Sequence, residues 1–190
     1  MLELTLTSID FNRTPFMRIV IFLCFVISSG CSIFQTEHEH IVLGFNAGEW
    51  GWKVGYSAEV PNQYSITEFI REGDDINNWN ELLSFQIFPP LWGGPNPEDA
   101  FNKLKFIREM KCPAVTKWNI IYKDEKSILY EWQSRPCLGW PDQYEIARII
   151  YGKYNTFVLR YTQKNYQIPD EERLEWIKRF SVAKIETSLK

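Results

Sequence analysis

The sequence predicts an α+β fold: one largely antiparallel sheet of about seven strands with two packing helices, in a single domain. Three observations carry this. Runs of β-branched and aromatic residues recur between Gly, Pro and Asn punctuation. Only two stretches show helical spacing of apolar residues. The order is strands, helix, strands, helix, as in a sheet that helices cover after it has doubled back on itself. With 190 residues, 45% hydrophobic and 16% aromatic, the chain can bury one core of ordinary size.

Segments 41–46, 52–60 and 64–71 read as the first strands. In the next, Leu83, Phe85 and Ile87 alternate with Leu82, Ser84, Gln86 and Phe88, and Pro89-Pro90 ends the run. Asn96 then serves as an N-cap, Pro97 fits the first helical turn, and Glu98 and Asp99 suit the positive end of the helix dipole. Ala100, Phe101, Leu104, Ile107 and Met110 form the apolar stripe of a helix ending near Lys111. Four more strands follow at 115–123, 127–134, 143–151 and 155–163, with turns at 123–126 and 152–155. The last helix runs from about Pro169 to Phe180, with Leu174, Ile177 and Phe180 on one side. One sheet face is expected to carry Trp118, Ile120, Tyr122, Ile128, Tyr130, Trp132, Phe157, Leu159 and Tyr161, with both helices covering it. On the opposite face, Glu131, Arg148 and Arg160 are expected to approach one another, as cross-strand ion pairs or as an anion-binding groove.

The N-terminus has its own signature. Ile19–Ile27 is uninterrupted by charge, follows Arg18, and leads through Ser28, Ser29 and Gly30 into Cys31. As a helix it rises only about 14 Å, less than half of a ~30 Å hydrocarbon core. A cation, a short apolar run and small residues describe a secretory signal peptide, here residues 1–30, with Met17 a more ordinary start than Met1. Ser28-Ser29-Gly30-Cys31 resembles the lipobox of bacterial lipoproteins, with Ser28 where an aliphatic residue is usual. The resemblance implies cleavage before Cys31, lipidation of that cysteine and a membrane anchor. Ser32 in the following position implies the outer membrane, facing the periplasm. Residues 31–40 then read as the lipidated end and a flexible tether, and 41–187 as the globular domain. The alternating Glu and His of the segment 37–40 offer at most weak metal ligation without a turn to converge them. Element order, helix count and size also resemble the PsbP-like sandwich of small envelope lipoproteins, a resemblance that brings no catalytic residues.

Chemistry is constrained by what the domain lacks. The chain's two histidines are His38 and His40, so no imidazole follows position 40. Triads that use His and zinc sites with His ligands have no place in the domain, and no phosphate-cradling glycine loop occurs. No cofactor is implied. A net charge of −3 argues against nucleic acid as a partner. Cys112 and Cys137 each neighbour a proline and are expected to pair in an oxidising compartment, since no C-x-x-C spacing marks a redox pair. Trp92 and Trp140 fall in loops, either as an aromatic platform for a glycan or an envelope protein, or as plugs at the core edge. Two function classes follow. One is a lipid-anchored envelope protein with a non-catalytic binding or structural role. The other is a periplasmic carboxylate-dependent hydrolase acting on glycans, which needs two carboxyl groups about 5–9 Å apart in a concave site.

Overall fold

The computed structural model describes residues 37–189. The expected signal peptide, with Met17, and the expected lipidation site Cys31 and tether up to Thr36 lie outside the described residues. Nine strands and two α-helices follow: β1 (Glu37–Val42), β2 (Trp52–Val60), β3 (Tyr64–Arg71), β4 (Glu81–Phe88), α1 (Pro97–Lys111), β5 (Thr116–Lys123), β6 (Ser127–Ser134), β7 (Gln143–Tyr151), β8 (Thr156–Gln163), α2 (Asp170–Val182) and β9 (Lys184–Leu189).

Seven strands form one antiparallel sheet in the order β2-β3-β4-β8-β7-β6-β5. Two meanders, β2-β3-β4 and β5-β6-β7-β8, meet where β8 pairs with β4. The fold is therefore α+β, with the expected strand count and helix order. The local signals hold as well. Asn96 Oδ1 accepts from Asp99 N at 3.0 Å, capping α1 ahead of Pro97. Asp124 Oδ1 accepts from the amides of Lys126 and Ser127 at 2.8 and 2.7 Å, closing the β5–β6 turn. Gly93, at φ +93°, lies so close to α1 that an added Cβ would sit 2.6 Å from Ala100 Cα, so only glycine fits.

The layering differs from expectation. The helices cover opposite faces. Trp176 and Phe180 of α2 pack with Leu129, Ile146, Phe157, Leu159 and Tyr161. Ala100 and Phe101 of α1 pack with Ile128, Tyr130, Trp132, Ile149 and Val158. Phe157, Leu159 and Tyr161 thus lie on the face away from Tyr130 and Trp132. The cause is that β8 is central and buried on both sides, so alternation has no phase to read there. A register shift between Ile120 and Tyr122 also turns Tyr122 off the face that it was expected to share. Leu174 and Met110 are exposed, so each helix buries a narrower stripe than its spacing suggested.

The N-terminal part of the domain is also corrected. Residues 37–40 are not tether but the start of β1, which pairs antiparallel with β9 from Glu37↔Leu189 to Val42↔Lys184, so His38 and His40 stand within the fold that was expected to hold no imidazole. Glu39 lies over the β7–β8 turn, where its carboxylate accepts from the amides of Lys153, Tyr154 and Asn155. The strand expected at 41–46 ends at Val42, and the domain continues past 187 as β9.

Candidate functional site

On the α1 face, α1 packs chiefly against β6 and β7 and meets β8 at Val158, leaving the rest of β8, β4 and β3 less covered. A groove of about 200 Å³ lies in that gap. Two cross-strand rows run under it. One runs Tyr130, Ala147, Arg160, Ser84, Glu68, of which the last three line the groove; the next, Trp132, Glu145, Thr162, Leu82, lines it throughout. Arg108 of α1 forms one wall, and Trp79 and Trp140 come from loops.

Arg160 stands at the centre. Its strand neighbours, Ala147 and Ser84, are small and leave room above the guanidinium. Its side chain makes no hydrogen bond and no ion pair among the described residues, and its Nε is sealed from solvent without a partner. Burial disfavours its charge, while the fields of Glu145, Tyr130 and Glu68 hold it protonated. Arg108 donates from Nη2 to Gln143 Oε1 at 2.9 Å and lies 4.6 Å from the Trp132 ring, yet its Nε is also buried and unpartnered. Glu145 neutralises neither arginine by contact. Its oxygens accept from Trp132 Nε1 at 2.8 Å and Thr162 Oγ1 at 3.1 Å. The Glu68 carboxyl is pushed above the usual carboxylate range by burial, with Arg160 opposing.

Of the residues singled out from the sequence, Arg160 and Trp140 meet in this groove. Glu131 and Arg148 do not join them, because both point to the α2 face. Glu131 accepts from Arg173 Nε and Nη2 at 2.6 and 2.7 Å, from Asn119 Nδ2 at 2.7 Å and from the Tyr144 hydroxyl. Arg148 Nη1 donates to the carbonyls of Phe180, Ser181 and Ala183 at 2.6, 3.0 and 2.9 Å, satisfying the open end of α2. The anion-groove trio is thus corrected to one groove arginine, one carboxylate paired with Arg173, and one arginine spent on the carbonyls at the end of α2. Trp92 is a core-edge plug, stacked on Phe88 at 4.2 Å. Trp140 is half exposed and makes no ring or cation contact.

Cys112 and Cys137 are bonded, with Cα atoms 5.8 Å apart. The bond joins the end of α1, one turn beyond Arg108, to the loop that carries Trp140. Cys137 and Trp140 also exchange backbone hydrogen bonds at 3.1 and 2.9 Å. Both walls of the groove therefore depend on this link. Arg108, Glu68, Glu145, Gln143 and Trp79 were missed in the sequence. Only the polar inward positions of β7 and β3 hinted at them, and that hint needs the register to be known.

The two groove carboxylates come from well-separated strands. Glu68 and Glu145 stand on β3 and β7, three strand spacings apart, which separates their Cα atoms by about 14 Å or more. A closer pair, Glu81 and Glu172, meets at the Tyr161 hydroxyl on the α2 face. Both are committed to protein partners: Glu81 to Arg71 at 2.7 Å, Glu172 to Gln163 at 2.5 Å. Among the described residues no cluster of His, Cys, Asp and Glu could hold a metal ion, and no helix is long and apolar enough to cross a membrane.

No protein-family model matches the chain, and no curated protein matches it. Among solved structures it is similar to the Ran-binding protein Mog1p of Saccharomyces cerevisiae. The identity is 10% and the TM-score 0.41, over 76% of this chain and 84% of that one. A likeness of that degree assigns no function.

Proposed function

We propose that this protein is a lipid-anchored component of the bacterial cell envelope, tethered through Cys31 at the outer membrane and facing the periplasm. In this reading its domain binds a ligand without turning it over, and the groove around Arg160 is the binding site. Location rests on the signal-peptide pattern and the lipobox resemblance. The binding role rests on one observation: a guanidinium with every donor unspent at the centre of an open, indole-edged groove. Taking an arginine partly out of water costs free energy unless it gains partners. A residue kept at that cost is better explained by an acceptor that arrives from outside than by folding.

The test is stability. If Arg160 serves a ligand, Arg160→Met should leave the urea midpoint unchanged or raise it, because the substitution removes an unpartnered charge and keeps the aliphatic stem. A loss above about 1 kcal/mol would show that the guanidinium holds the fold together, and would remove the groove reading.

A further inference from the structure

We infer that the groove takes the carboxylate of a single acidic sugar residue, of the uronic-acid class, with Arg160 on the carboxylate and Trp140 beside the ring. This rests on the groove being a binding site and adds the chemistry of its occupant.

The charge pattern selects the anion. Arg160 offers a planar fork of unused N–H groups, the geometry that matches a carboxylate in bidentate fashion. Arg108, on the wall, keeps its Nε without a partner. Against these two cations stand Glu145 and Glu68 in the same lining. With both carboxylates charged the lining is neutral, so each further negative charge on a ligand meets their repulsion, and a monoanion meets less of it than a phosphate dianion. The raised Glu68 carboxyl lessens this repulsion for a monoanion as pH falls.

The rest of the lining selects the body of the ligand. Gln86 and Gln143 supply amides, and Ser84 and Thr162 supply hydroxyls, groups that exchange hydrogen bonds with ring hydroxyls. The Trp140 indole has no partner of its own and can pack against the C–H face of a ring. At about 200 Å³ the groove is smaller than the ~300 Å³ at which drug-sized sites begin, so it suits one ring and not an extended ligand.

The experiment is a tryptophan-fluorescence titration of the mature, disulfide-bonded protein and of Arg160→Gln, with D-glucuronate, D-glucose and inorganic phosphate as probes. Glucuronate should saturate below about 20 mM. Glucose and phosphate should each bind at least ~10-fold more weakly, and Arg160→Gln should weaken glucuronate by ~10-fold or more while its circular dichroism and urea midpoint match the parent. Equal binding of glucose would overturn the carboxylate. Equal or tighter binding of phosphate would leave a bare anion site, and glucuronate binding that survives Arg160→Gln would place it elsewhere. Failure of glucuronate to saturate also overturns the inference. If the Arg160→Met variant is nonetheless as stable as the parent, only the ligand class falls; if that variant is destabilised, the groove falls with it.

Discussion

Glu131 is where a single carboxylate holds a helix to the sheet. Burial alone would raise its pKa, but hydrogen bonds from Arg173, Tyr144 and Asn119, with the charge of Arg173, outweigh this and hold it below the usual value of 4.5. A depressed carboxylate contributes stability that is present above its unfolded pKa and is lost as pH falls through the folded one. Acid should therefore weaken the domain below about pH 4.5, and Glu131→Gln should flatten that part of the stability–pH curve. At neutral pH the same variant should cost about 2 kcal/mol, since Arg173 and Tyr144 lose a charged acceptor. Unfolding curves at pH 7 and at several acid pH values check both outcomes. A variant with unchanged acid slope would mean that Glu131 is not the group that titrates. At this scale the sequence was half legible. Arg160 and Glu131 both stood out as charges within apolar strands, yet nothing in their own neighbourhoods assigned them to opposite faces. Trp92 and Trp140 carried the same loop signal, and only packing against Phe88 separated plug from rim.

Elements were more legible than their assembly. Caps, turn residues and periodicity are local, so α1, the hairpins and most strand bounds could be read directly from the chain. What could not be read was the side of the sheet on which each helix lies, because β7 and β8 are buried on both faces. The hidden partner of β1 was missed for a similar reason: a short, polar, exposed strand has little alternation, and its identity comes from β9 far along the chain. The disulfide belongs to this scale, since it ties the end of α1 to the loop after β6 over a separation of 25 residues. Mass spectrometry of unreduced peptides should recover Cys112 and Cys137 joined. Replacing both by Ala should cost about 2–4 kcal/mol and loosen the Trp140 loop. Two free thiols in protein taken from the envelope would contradict this, and with it an oxidising location.

For the whole molecule, anchoring is the prediction that matters. Stable attachment needs two or more acyl chains, each buried methylene contributing about 0.8 kcal/mol. Cys31→Ala should therefore move the protein to the soluble fraction or leave an uncleaved precursor. A variant still cleaved and membrane-bound would refute lipidation at Cys31. The pairing of β1 with β9 has a further consequence for the chain as a loop. Because Glu37 faces Leu189 across one ladder, the first and last described residues of the domain are neighbours, about 5 Å apart between Cα atoms. The domain is thus topologically almost a ring. A short peptide could close it there, and new ends could open at an exposed hairpin such as 61–63 with the sheet order intact.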